Sequence, residues 1–216
     1  MNISENIQKY KEELGQGITL VAISKTKPIS KLSDAYNAGQ RIFGENKIQE
    51  MTEKWEVLPK DIQWHMVGNV QRNKVKYMAP YVNLIHTVDS LKLLKEINKE
   101  AKKNQRSISC LLQIKIAEEE SKFGISADEA KEILNSEEYS KMQNVEIIGL
   151  MGMATFTEDL EQVGKEFQAL NSVFKEFKKD FPQLKTLSMG MSGDYKIAVE
   201  CGSNMVRIGS AIFGGR

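Results

Sequence analysis

The chain has 216 residues, enough for one sizeable core, and 30 Lys and Arg against 29 Asp and Glu leave a net charge of +1. That balance excludes the strong positive field carried by binders of nucleic acid or anionic membrane. Two cysteines without metal-type spacing, and no apolar run of signal-peptide or membrane-span length, point to a cytoplasmic chain with buried thiols.

From the amino end, apolar periodicity predicts a helix over Ser4 to Leu14 with Ser4 as its N-cap. Ile18 to Ser24 is a β-branched strand, and a helix near Ser30 to Ala38 stops at Gly39. Strand Arg41 to Gly44 opens into Glu45-Asn46 and a helix through about Val57. Strand Ile62 to Val67 leads through Gly68-Asn69 to a helix near Gln71 to Met78. Strand Asn83 to Val88 meets the capping pair Asp89-Ser90 and helix Leu91 to Lys103. Strand Ile108 to Ile116 precedes a longer loop, Ala117 to Gly124, and a helix that Ser126 and Glu129 open as a capping box. Strand Val145 to Met151 comes before the long helix Leu160 to Asp180, which Pro182 stops. Strand Thr186 to Met189 gives way to Gly190-Met191-Ser192-Gly193-Asp194 and a short helix to Cys201. Strand Met205 to Ile208 then runs into Gly209-Ser210.

Roughly eight strand-helix repeats with no evident edge strand favour an α/β fold closed as a (β/α)8 barrel of TIM type, with an extra N-terminal helix. A doubly wound open sheet is the competitor. At this length insertions are small, and residues 1–216 are expected to form a single domain.

In such a barrel the carboxyl ends of the strands build the site. Val21, Ile23, Lys25 and Lys27 share one strand parity, so Lys25 is expected among apolar side chains near the mouth. A buried ammonium is costly, which favours the neutral amine that forms a Schiff base with an aldehyde. Lys27, one strand period on, is a candidate helper in transferring such an imine. Ser192, Gly209 and Ser210 follow the last two strands, where barrels hold a phosphate on close backbone and hydroxyl donors. Arg207 interrupts an apolar strand and needs a partner, either a carboxylate such as Glu200 or the ring nitrogen or phosphate of a ligand. Amine, cradle and arginine together describe a pyridoxal phosphate site. The same lysine and cradle would also suit a class I aldolase acting on a sugar phosphate.

Several segments resemble, in order along nearly the whole chain, the motifs of the pyridoxal phosphate homeostasis protein family. They are Ala22-Ile23-Ser24-Lys25-Thr26-Lys27-Pro28, Phe43-Gly44-Glu45-Asn46, Trp64-His65-Met66-Val67-Gly68 with Gln71-Arg72-Asn73-Lys74, and Gly149-Leu150-Met151. Further on come Leu187-Ser188-Met189-Gly190-Met191-Ser192 with Asp194, and Val206-Arg207-Ile208-Gly209-Ser210 with Ile212-Phe213-Gly214. The resemblance implies a barrel similar to the N-terminal domain of alanine racemase, with pyridoxal 5′-phosphate (PLP) on Lys25 as an internal aldimine. It also implies that Ser192, Gly209 and Ser210 hold the phosphate, that Arg207 faces the pyridine nitrogen and that Asn46 lies near the ring hydroxyl. His65 and Gln71 to Lys74 match a family motif at the site rim, and Lys122 matches a family loop; neither match carries a role.

An arginine at the pyridine nitrogen keeps that nitrogen unprotonated and makes the ring a poor electron sink. The tyrosine base that racemases of this barrel type draw from a second domain or partner has no counterpart here. Of the six tyrosines only Tyr195 lies near an expected strand end. The expectation is a non-catalytic, monomeric carrier of PLP for vitamin B6 homeostasis, with PLP-dependent apoenzymes as transient partners. A slow amino-acid racemase is the first alternative, and a plain interaction module without cofactor is another.

Overall fold

In the computed structural model, which describes residues 2–117 and 124–215, strands and helices alternate along the chain. After α1 (Ile3–Leu14) come β1 (Thr19–Ile23), α2 (Ile29–Asn37), β2 (Ile42–Glu45), α3 (Ile48–Val57), β3 (Gln63–Met66) and α4 (Val75–Met78). Then follow β4 (Leu84–Val88), α5 (Leu91–Lys103), β5 (Ile108–Gln113), α6 (Ala127–Asn135) and α7 (Glu137–Ser140). The carboxyl-terminal part holds β6 (Val145–Met151), α8 (Leu160–Asp180), β7 (Thr186–Met191), α9 (Tyr195–Glu200), β8 (Met205–Ile208) and α10 (Ser210–Phe213). The eight strands form one closed barrel in sequence order, with every neighbouring pair parallel. β1 meets β8 in a register running from Thr19↔Met205 to Ala22↔Ile208, and this closure excludes the doubly wound open sheet.

Apolar side chains form two layers. Leu20, Ala22, Phe43, Trp64 and Ile85 point outward and pack beneath the helices. Val21, Leu84, Leu111, Met151 and Met205 fill the inside, with Ile23 and Ile42 against them. Strand parity therefore holds through Ile23. Each large apolar side chain so buried contributes about 1.5–3 kcal/mol.

The expected bounds of α5, β6, α8 and β8 match the structure, and the capping box of Ser126 and Glu129 is formed. Other ends differ for local reasons. Asn2, not Ser4, caps α1, its side-chain oxygen accepting from the Ser4 and Glu5 amides at 3.0 and 3.3 Å. The earlier start lets Ile3 join the buried stripe of Ile7, Tyr10 and Leu14. The helix expected over Gln71 to Met78 is a 3₁₀ turn over Arg72–Lys74 leading into the short α4. β5 stops at Gln113, beyond which Ile114 makes a lone bridge to Ile125. The single turns α7 and α10 are too short to show a helical period. α1 packs against α2 and α10, and the Asn6 side-chain amide donates to the Ile212 carbonyl at 3.0 Å, fastening the first element to the last. Cys110 and Cys201 are free and buried, and burial pushes both thiols up. Among the described residues no helix is long and apolar enough to cross a membrane.

Candidate functional site

Register brings the carboxyl ends of four adjacent strands, β7, β8, β1 and β2, into one arc of the rim. Ser192 follows β7 and Gly209 follows β8, and the Gly209 amide donates to Ser192 Oγ at 3.3 Å. Because Ala22 pairs with Ile208, Gly209 lies against Ile23. A Cβ on Gly209 would stand 3.2 Å from both Cβ and the carbonyl oxygen of Ile23, a tight contact that the two strand ends would have to relax by a few tenths of an ångström to accept. On the other flank Ile23 pairs with Gly44, and the Ser24 amide donates to the Gly44 carbonyl at 3.0 Å, which sets Asn46 beside the Lys25 turn. A Cβ on Gly68 would fall 2.1 Å from the Asn46 carbonyl oxygen, so the loop after β3 presses directly on the Asn46 backbone. Lys25, Asn46, Ser192, Gly209 and Ser210 thus share the rim. Arg207 lies a layer deeper, paired with Val21.

β1 ends at Ile23 and the chain turns at Lys25-Thr26, so Lys25 stands in a turn just past the strand, half-buried at the mouth. Lys27 Nζ donates to the carbonyls of Gly214 and Gly215 at 2.8 and 2.7 Å, which ties it to the carboxyl-terminal segment. Within the turn Thr26 takes a φ of +62°, which is left-handed. A β-branched residue there is strained by about 1–3 kcal/mol.

A buried charge network holds that turn. The Thr26 amide donates to Glu50 Oε1 at 2.6 Å. Lys54 Nζ donates to the Ser24 carbonyl (2.7 Å), Glu45 Oε1 (2.6 Å) and Glu50 Oε1 (2.7 Å), while the Ser24 hydroxyl donates to Glu45 Oε1 (2.7 Å). Burial pushes the Glu45 carboxyl above the usual carboxylate range, and the Lys54 ammonium pulls it back. The residues on both sides of Lys25 are therefore clamped. The sequence reading missed this network, because Glu50 and Lys54 four residues apart on α3 look like an ordinary surface pair.

Arg207 is buried, and among the described residues no carboxylate hydrogen-bonds to it. Nη1 donates to the Ser188 carbonyl (3.0 Å) and Ser188 Oγ (2.6 Å), and Nη2 to the Gly152 carbonyl (3.0 Å). Glu200, the carboxylate considered as its partner, is exposed on α9. Burial lowers Arg207 to about 10, against the opposing charge of Asp194, so the guanidinium stays protonated at neutral pH. Behind Ser188 stand two imidazoles: His86 Nδ1 lies 3.1 Å from Ser188 Oγ, and His86 Nε2 lies 3.0 Å from His65 Nδ1. Burial holds His65 down to about 3, and burial with the charges of His65 and Arg207 holds His86 well below its ordinary value. His86 and Ser188 were not singled out from the sequence. The available signal was their polarity within otherwise apolar strands.

Beside Asn46 a cavity of about 820 Å³ is lined by Gln49, Asn69, Gln71, Lys74 and Tyr77 among others, so part of the Gln71 to Lys74 stretch does border the rim. Lys25, Ser192, Arg207 and Ser210 do not line it. Tyr195 opens α9 and its hydroxyl donates to Glu13 at 2.5 Å. Lys122 lies outside the described residues. Among those residues no group of three or more side chains could hold a metal ion.

Residues 1–216 match the family described as alanine racemase, N-terminal domain, which fits a closed barrel with its polar residues at the strand carboxyl ends. An alanine racemase of Clostridium difficile shares that barrel, with a TM-score of 0.80 at 14% identity over 100% of this chain and 57% of its own. Within this class the chain is 38% identical, over 99% of its length and 95% of the relative's, to the pyridoxal phosphate homeostasis protein of Aquifex aeolicus. The structure of PipY from Synechococcus elongatus with PLP bound is similar at a TM-score of 0.89 and 32% identity, covering 98% of this chain and 100% of that one. The chain belongs to the pyridoxal phosphate homeostasis protein family.

Proposed function

We propose that this chain holds PLP reversibly through Lys25 and serves as a carrier and buffer of it. The observation that carries this reading is Arg207, a buried guanidinium whose hydrogen-bond partners among the described residues are two carbonyls and a hydroxyl, with Asp194 acting on it only through its charge, so that no carboxylate occupies its donors. The residues present fit the parts of PLP. Lys25 offers a primary amine at an accessible rim. Ser192 and Ser210 offer hydroxyls for a phosphate, next to a Gly209 backbone that no Cβ shields. Asn46, on the same rim, would be the contact for the ring hydroxyl. The PLP named in the PipY structure and the names of the relatives support the same reading.

When bound, PLP supplies an aldehyde that condenses reversibly with a primary amine. The clamp on Ser24 and Thr26 holds the backbone on both sides of Lys25, whose amine would be the one to condense. Arg207, protonated at neutral pH, would face the ring nitrogen without surrendering its proton, which would weaken the ring as an electron sink. Racemisation also needs an acid or base opposite the lysine. The Tyr195 hydroxyl is engaged by Glu13, so we read the chain as a carrier rather than an enzyme. One domain over residues 1–216, a monomer in the cytoplasm handing PLP to apoenzymes, completes the proposal.

Titrating the purified protein with PLP tests it. The absorbance band of lysine-bound PLP should form, persist in Lys27→Ala and be absent in Lys25→Ala. L-alanine should be inverted no faster than by free PLP. A band that survives in Lys25→Ala would overturn the assignment of the lysine, and steady inversion well above free PLP would replace the carrier with a racemase.

A further inference from the structure

Arg207 ends a buried polar chain that crosses the barrel interior from β3 through β4 and β7 to β8: His65, His86, Ser188, Arg207. Its contacts fix where each proton sits. A guanidinium only donates, so Ser188 Oγ accepts from Arg207. Ser188 is fully buried, and among the described residues the acceptor within reach of its hydroxyl proton is His86 Nδ1 at 3.1 Å. A proton on His86 Nδ1 would leave that buried hydroxyl proton without an acceptor, which native interiors rarely tolerate. With His86 Nδ1 accepting, the His86 proton sits on Nε2 and is donated to His65 Nδ1 at 3.0 Å. The His65 proton then sits on its own Nε2. Both rings are neutral Nε2–H tautomers, which agrees with the strong burial of each.

We propose that Ser188, His86 and His65 are positioning residues for Arg207, an ordered chain that fixes the guanidinium with neutral acceptors. A carboxylate at the Ser188 position would hold the arginine equally well but cancel its charge. The neutral chain holds it and adds no opposing charge to that of Asp194, which leaves the guanidinium for an electron-rich atom of the ligand. The inference rests on the reading of Arg207 as a contact for PLP, and it makes a claim about protons that stands without the ligand.

The test uses the whole chain. It contains two histidines, so a long-range proton–nitrogen correlation spectrum of nitrogen-labelled protein has two imidazoles to assign. Both should carry the proton on Nε2, unchanged from about pH 5.5 to 8. Ser188→Ala should alter the His86 signals and weaken PLP binding by about ten- to hundredfold, the loss of a hydrogen bond to a charged group. Ser188→Thr, which keeps the hydroxyl, should restore both. A proton on Nδ1 of either ring in the unmodified protein would overturn the chain even if Ser188→Ala fails to fold. A folded Ser188→Ala that binds PLP as the unmodified protein does would overturn its positioning role. Unmodified protein that binds no PLP would instead sink the carrier reading, and the tautomers would still decide the proton order.

Discussion

Lys54 and Arg207 are cations buried to the same degree, each 4% exposed, in the same arc of one barrel, Lys54 against the ends of β1 and β2 and Arg207 on the neighbouring β8. Lys54 lies 2.6 Å from Glu45 and 2.7 Å from Glu50, so its charge is cancelled where it stands. Arg207 meets two carbonyls, one hydroxyl and, behind that hydroxyl, two neutral imidazoles. The first arrangement is a platform: it pins the Ser24 carbonyl and the Thr26 amide on either side of Lys25. The second is a receptor, holding a charge on neutral hydrogen-bond partners, with Asp194 acting on it only through its charge. Burial does not distinguish the two roles; the partners do.

Breaking the platform should have the largest effect on stability. Lys54→Met strands the Glu45 carboxylate, whose side chain is fully buried, and should cost about 3–5 kcal/mol, read as a shift of the urea midpoint. Adding Glu45→Gln to the same chain should recover part of that loss. A cost for Lys54→Met below about 1 kcal/mol would mean that the pair behaves as a surface ion pair.

The receptor side should reveal itself through pH. His65 is held at about 3 in the fold against an ordinary 6.5, so between those values the unfolded chain takes up a proton that the folded chain refuses. Stability should therefore fall as pH drops below about 6.5, by about 1.4 kcal/mol per pH unit for each histidine kept neutral. His86, beside the Arg207 charge, should act in the same direction. Urea midpoints that stay flat from about pH 7 to 5.5 would show that the folded rings accept protons after all.

Arg207→Leu comes next. It leaves the Ser188 and Gly152 carbonyls without their donor and should cost about 1–3 kcal/mol, less than Lys54→Met, while weakening PLP binding more severely. Calorimetric titration with PLP, set beside the urea midpoints, separates the two consequences. Thr26→Gly is the smallest change. It removes the strain at φ +62° but frees the unfolded chain, so stability should move by about 1 kcal/mol or less.

Much of this was legible in the sequence. The alternation of short apolar runs with helical stripes gave eight strands, and the parity of Val21 and Ile23 gave the inward face. The rim positions of Lys25, Asn46, Ser192, Gly209 and Ser210 followed from their place after strand ends. The setting of Lys25 was not legible, because the turn that stops β1 is held by Glu50 and Lys54 on α3, and no local pattern announces contacts of that range. The partners of Arg207 were hidden for the same reason: Ser188 meets His86 across 102 residues of chain. The lone bridge of Ile114 and the Asn2 cap were lost at element ends, where one residue of burial decides the boundary.

The most direct test of the account is borohydride reduction of the PLP-loaded protein followed by peptide mapping. It should return the reduced PLP label on the peptide that contains Lys25. A label found on Lys27 or another lysine, with Lys25 unmodified, would contradict it.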